Sequence, residues 1–508
     1  MSGRLVLMKV MSTGADLDIK LKRQTRTGVI TMTIKVIRNA DYVVAWDAAQ
    51  NSHTYVTGGD VAFDGGKIVF AGRNYQGEAD ETIDGRGFMV MPGLVDIHSH
   101  PSSEPLNKGF LDEIGSPGLY NSSLYEYMPI LRPDPEGVPD CVRVAYSELL
   151  LSGVTTVADL SIAHPQWLDL AAESGLRVCL APMFRSARWF TPNGTLVDYE
   201  WNEKAGEDAM MQAFDLIDAA ETHPSGRLSG MMCPAQIDTC TPALMRDSYA
   251  EARRRGIPWQ THAGQSVSEF HEIVRRHGVT PIQWLGELGV LGPTTLVGHT
   301  IFVDDHPLTP WHTRRDLALL EETGTTVAHC PTVFMRRGIA LRDVGRYRAA
   351  GISVAIGTDT YPHNMIEEMR NVTMTSRLMA GHPRGLNSTW LFEAATTVGA
   401  KALGRDDLGK LEAGCKADLV MVDVTHPMMQ PHRDPIRSMI YAAAERAVRH
   451  VYVDGRQVVK DGVVQTFDYP AAALRVHEAQ IRAEERVPGL DWAKRKLTEI
   501  SPLSFPLA

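Results

Sequence analysis

The chain has 508 residues, 51 basic against 61 acidic side chains, and a formal charge of −10. A chain of this length buries a large core, and its mixed, net acidic character provides no basic stripe for a nucleic-acid backbone. No apolar run approaches a bilayer span, and Met1 to Arg23 mixes charges with apolar residues, so a cytoplasmic protein without membrane or nucleic-acid partners is expected.

In chain order, residues 1–31 read as a poorly constrained extension. Residues 32–90 are β-rich and punctuated by turns, with Asp64-Gly65-Gly66 suited to a hairpin. Val90 to Ile97 reads as a buried strand that ends in His98-Ser99-His100. Alternation along a strand sends every second side chain to one face, so His98 and His100 can reach one metal ion.

From Met91 to Leu411 short apolar runs alternate with helical stretches. Further strands are expected at 154–159, 177–181, 228–233, 257–262, 295–299, 325–329 and 353–357, making eight. Between them, Pro242 to Arg255 and Arg314 to Thr323 carry apolar residues at helical spacing and stop at glycine. Eight such units predict an α/β fold, a (β/α)8 TIM barrel over 91–411.

β-rich segments return at Ala417 to Val424 and Val448 to Val464, with an Asp454-Gly455 turn. Residues 32–90 plus 412–465 most simply join into a small composite β-sandwich; two independent β flaps are the alternative. Residues 466–508 read as a helical tail. Cys141, Cys179, Cys233, Cys240, Cys330 and Cys415 form no C-x-x-C pair and read as reduced core residues.

The expected carboxyl ends of the strands carry His98 and His100 on the first, His262 on the fifth, His299 on the sixth and Asp359 after the eighth. That end is the catalytic face of a barrel. Each residue alone has a bland reading as core or cap, Asp359 as a helix N-cap for example, but five on four strands point to a metal site.

These motifs resemble the amidohydrolase superfamily, in particular subtype III, which includes heterocycle deaminases and triazine hydrolases. The matching stretches are Pro92 to His100, Ser152-Gly153-Val154-Thr155-Thr156, Thr261-His262-Ala263, Gly298-His299, Ala328-His329-Cys330-Pro331, Gly357-Thr358-Asp359 and Leu411 to Val420. The resemblance implies that His98, His100, His262 and Asp359 bind the metal and that His299 orients the water or the reacting carbonyl. Two-metal members use a carboxylated lysine on the fourth strand, and no lysine occurs between Lys204 and Lys401. One divalent ion is therefore expected, Zn by default, with Fe, Co or Mn open, and a second ion held by His262, His299 and a bridging water is the lesser alternative. Such an ion lowers the pKa of water from about 15.7 toward 7, and Asp359 is placed to move the proton.

Departures from the family pattern bear on the substrate. Gln265 stands where deaminases place a proton-relaying glutamate, Ala235 where a substrate-binding histidine is common, and Thr332-Val333-Phe334 replaces a serine-asparagine pair. An amide cannot relay a proton to a ring nitrogen. This favours cleavage of an amide, urea or carbamate, as in a phenylurea hydrolase, by attack of metal-activated water. A deaminase or dechlorinase of a purine, pyrimidine or triazine stays open, as does a metal-free scaffold of the same fold. Gln265, His329, Phe334, His363 and Trp189 are candidate substrate contacts, with Phe190 and Tyr120 as further aromatics. The expected partners are a small-molecule substrate and further copies of the chain in a homo-oligomer.

Overall fold

The structure is a computed structural model that describes residues 33–507, so the extension read at 1–31 lies outside the described residues. Among the described residues no helix is long and apolar enough to cross a membrane.

The two β-rich flanks join in one nine-stranded hydrogen-bonded sheet. The seam is the antiparallel pairing of Phe88–Pro92 with Leu419–Asp423, residues more than 300 apart in the chain. Both expected hairpins form. Asp64 pairs with Lys67 across Gly65-Gly66, and Val453 pairs with Arg456 across Asp454 and Gly455. The latter two have φ of 52° and 73°, as a two-residue turn matched to strand twist requires.

Eight parallel strands follow: β1 (Leu94–Ser99), β2 (Val154–Asp159), β3 (Arg177–Leu180), β4 (Leu228–Gly230), β5 (Trp259–Ala263), β6 (Thr295–His299), β7 (Thr326–His329) and β8 (Ser353–Ile356). They pair in two runs, β1 to β4 and β5 to β8. Bridges Met232 to Trp259 and Gln236 to His262 join the runs, and Ser99 to Asp359 closes the ring. The result is a (β/α)8 barrel. Helix Pro242–Arg255 forms over the expected span, with the Thr241 side chain accepting from Leu244 N at its start and Gly256 at φ 69° at its end.

The strand expected over 90–97 is two strands in two different sheets. Phe88–Pro92 belongs to the terminal sheet and Leu94–Ser99 to the barrel, with the break at Gly93. A Cβ on Gly93 would lie 2.0 Å from Thr155 Oγ1, so only glycine lets the chain pass from one sheet to the other here. Apolarity is continuous across the break, which hides it from periodicity.

The C-terminal helix Tyr469–Leu490 packs on helix Val138–Leu151 through Ala472, Val476, Ala479 and Ala483. A buried ion pair ties barrel to terminal sheet. Arg177 on β3 donates from Nε to Asp418 Oδ2 at 2.6 Å and from Nη2 to Asp454 Oδ1 at 2.6 Å. With Arg177 only 2% exposed, Arg177→Ala would leave the Asp418 carboxylate buried and unpaired. Chemical denaturation is expected to show a loss of about 3–5 kcal/mol, and a loss under about 1 kcal/mol would refute this role.

Candidate metal centre and cavity

The ends of β1, β5, β6 and β8 bring five expected residues together. His100 Nε2 lies 3.3 Å from His262 Nε2 and 3.2 Å from Asp359 Oδ1. His98 Nε2 lies 3.7 Å from Asp359 Oδ1, and His299 Nε2 lies 3.8 Å from Asp359 Oδ2. Backbone hydrogen bonds hold the frame, Asp359 N to His98 O at 2.7 Å and His100 N to Asp359 O at 3.0 Å. Asp359 and His299 both have positive φ, 60° and 77°, backbone strain of the kind that accumulates at functional sites.

Three of the imidazoles have their other nitrogen occupied. His98 Nδ1 donates to Gln260 Oε1 at 2.5 Å, His100 Nδ1 to Leu160 O at 2.6 Å, and His262 Nδ1 to Ala235 O at 2.6 Å. This assigns the ring proton to Nδ1 and leaves each Nε2 lone pair aimed at the others. His98 Nε2 is buried with no partner. Facing lone pairs repel unless a cation lies between them. The 3.3 Å and 3.2 Å separations are the edge expected of a tetrahedron with metal–nitrogen bonds of about 2.0–2.1 Å. The donor set therefore fits a divalent ion.

Electrostatics agree with that fit. Burial pushes His98 and His299 down to about 3 and His262 well below its ordinary value, so these rings are neutral. Burial alone would raise Asp359, but the neighbouring imidazoles, His100 first, hold it far below the usual carboxylate range. Neutral imidazole and ionised carboxylate are the forms that ligate. Cys330 lies among the same groups, but burial drives its thiol well up, so it stays protonated and is not a thiolate donor.

Sequence reasoning missed what braces these donors. Gln260 on β5 accepts from His98 while its Nε2 donates to Ile97 O at 3.1 Å, which fixes the amide's orientation. Its signal is the two-residue spacing to His262. Asp96 accepts from His98 N at 3.0 Å and from Thr358 Oγ1 at 2.6 Å, linking β1 to the loop that carries Asp359. A Cβ on Gly357 would lie 2.6 Å from His98 Cβ, which accounts for the glycine before Thr358-Asp359. Gln260→Leu should weaken zinc binding about 10- to 100-fold in competition with a chromophoric chelator, and unchanged affinity would remove Gln260 from the centre.

A cavity of about 1270 Å³ opens above the donors and is lined by His100, His262, His299 and Asp359, with His98 sealed beneath. Of the expected substrate contacts, Gln265, Phe334 and Trp189 line it, as does Phe190 at the surface. Gln265 Nε2 is buried without a partner, and Glu269 holds the turn, accepting from Gly264 N at 2.6 Å and Gln265 N at 3.4 Å. Phe334 packs edge-on against His299, 4.6 Å between centroids.

Three expected contacts are corrected. His329 is buried at the end of β7 and His363 is wholly buried, and neither is part of the cavity wall. After Asp359 the chain turns into helix Met365–Ala380 and carries His363 away to helix Val138–Leu151, where Nδ1 lies 3.6 Å from Glu148. Tyr120 is 53% exposed and also lies off the cavity. Charged wall residues Glu104, Arg132, Arg185 and Arg337 were not foreseen, because irregular loops give no periodic signal.

A sequence model of the amidohydrolase family matches residues 89–458, most of the chain. The chain belongs to the amidohydrolase family. A 5-methylthioadenosine/S-adenosylhomocysteine deaminase of Natronomonas pharaonis is 31% identical to this amidohydrolase, over 83% of this chain and 92% of that protein. Among solved structures, an adenosine deaminase from Xanthomonas campestris with bound zinc aligns with TM-score 0.73 at 23% identity, covering 89% of this chain and 98% of that one. An atrazine chlorohydrolase from Arthrobacter aurescens complexed with zinc aligns with TM-score 0.71 at 21% identity, covering 88% and 100%. The amidohydrolase is thus a hydrolytic enzyme acting on C–N bonds, with a His and Asp site for a divalent metal.

Proposed function

We propose that the protein is a deaminase of a nitrogen heterocycle, a purine nucleoside derivative in the first instance, dependent on a single divalent ion, zinc. The observation that carries this is the intact donor set in a chain related along nearly its whole barrel to an adenosine-type deaminase. His98, His100, His262 and Asp359 would hold the ion. When bound, the ion would lower the pKa of water toward about 7 and polarise the reacting carbon's substituents.

The chain's own residues do the rest. Asp359 takes a proton and passes it to the departing nitrogen, and His299 orients the reacting centre. Gln265 Nε2, lacking a protein partner, donates a hydrogen bond to a ring nitrogen, and Phe334 and Trp189 offer apolar faces to the ring. The cavity volume exceeds what a bare base needs and leaves space for a sugar and its substituent. We further take the terminal sheet as a small β-sandwich domain, 32–90 plus 412–465, because it has its own core of Ile37, Val61, Phe63, Val90, Leu419 and Met421.

Gln265 favours a second reading, hydrolysis of an amide, urea or carbamate, since its amide cannot protonate a ring nitrogen. Zinc-loaded protein should release ammonia from adenosine, 5-methylthioadenosine or guanine. Release of aniline from phenylureas with no ammonia from any purine would overturn the first reading in favour of the second.

A further inference from the structure

We infer that the cavity wall beyond the metal donors is an oxyanion subsite made by Arg132, Arg185 and Arg337, and that the substrate carries a carboxylate or phosphate bound there. The inference rests on the hydrolytic reading above for the place of reaction and adds to it the charge of the substrate.

The protein is acidic overall, at −10, yet Arg132, Arg185, Arg188 and Arg337 line this cavity. The acidic residues of the wall do not match them. Asp359 belongs to the donor set, and Glu136 is exposed and lies 3.9 Å from Arg482. Arg188 is paired with Glu200 on the adjoining hairpin. That leaves one carboxyl, Glu104, whose charge acts on both Arg132 and Arg337. Three guanidinium groups of the wall thus share one remaining wall carboxyl, with Asp238 also acting on Arg185 and Asp359 of the donor set on Arg337.

Their hydrogen bonding is equally sparse. Arg132 donates once, from Nε to Met128 O at 3.3 Å. Arg185 lies over the Trp189 ring at 5.4 Å, and neither it nor Arg337 makes a side-chain hydrogen bond or ion pair among the described residues. Arg177 and Arg495, by contrast, each engage two carboxylates. A guanidinium has five donors in a rigid fork, and recessing it without acceptors is costly. Arg132 and Arg185 also repel one another. Burial, then Arg132 and Arg188, push Arg185 down to about 10, still protonated at neutral pH. Stacking on Trp189 fixes the face of Arg185 and leaves its donor edge free. An oxyanion supplies both the missing lone pairs and the opposing charge, and the planar fork suits carboxylate and phosphate alike.

The test uses zinc-loaded full-length protein, with benzoate and inorganic phosphate as probes in titration calorimetry. Both probes are expected to bind, and Arg337→Gln and Arg132→Gln should each weaken binding about 10-fold or more. The exposed Arg437→Gln should leave binding as it is, and full zinc occupancy in each variant shows that the centre is intact. Phosphate binding much tighter than benzoate would assign the substituent to a phosphate ester, and the converse to a carboxylate; either supports the subsite. Probe affinities equal in parent and arginine variants would overturn it, since the anions would then be sitting on the metal alone. Matched substrates, adenosine with its 5′-carboxylate and phenylurea with 4-carboxyphenylurea, separate the two claims. Absence of turnover in all four refutes the hydrolytic reading, while calorimetry still decides the subsite.

Discussion

Asp359→Asn is expected to lower kcat by about 10³-fold on any substrate the enzyme accepts, the range in which a positioned acid–base group contributes. The substitution preserves shape, and the backbone link from position 359 N to His98 O at 2.7 Å does not depend on the side chain. What disappears is charge and basicity. The carboxylate lies 3.2 Å from His100 and within 3.8 Å of His98 and His299, so a neutral amide removes the one anion among the imidazoles. An amide also cannot accept and return a proton. Zinc content measured alongside turnover separates the two losses. Full occupancy with low kcat isolates the proton-transfer role, and reduced occupancy adds a ligand role. A variant that keeps kcat within about threefold of the parent, at full zinc occupancy, would remove Asp359 from the chemistry.

The residues most legible in the sequence were those whose role follows from strand geometry. His98, His100, His262 and His299 end strands whose apolar runs are short and bounded, and each sits at the predicted end. That the two β-rich flanks join in one sheet followed from their having no other partner, but the seam itself, Phe88–Pro92 against Leu419–Asp423, did not, because its first strand reads as part of the barrel strand after it. Gly93 was hidden because Pro92 and Leu94 are both buried, so the move from one sheet to another leaves no polar gap. His363 was misplaced because closeness to Asp359 in the chain does not survive the turn into the next helix. Gln260 and the arginines of the cavity wall share another reason. Their partners, His98 and the cavity itself, lie more than 100 residues away or in irregular loops, and single residue types carry no record of such contacts.

Gln265→Glu is expected to raise ammonia release from aminopurines by about 10²-fold and to leave hydrolysis of any urea or amide within about twofold. The wild-type amide sits on the cavity wall with Nε2 buried and unpaired, so it can donate a hydrogen bond to a ring nitrogen but can transfer nothing. A carboxyl placed there would be buried beside Glu269, whose own carboxyl is pushed well up by burial and by Asp238. The same surroundings disfavour a second anion, so the new group would keep its proton at neutral pH, which is the form an acid relay needs. Activity of the variant should then fall as pH rises through that elevated pKa, giving an alkaline limb absent from the parent. Equal ammonia release by parent and variant across the purine panel, with identical pH profiles, would mean that the proton reaches the ring by another route and that Gln265 does not limit the chemistry.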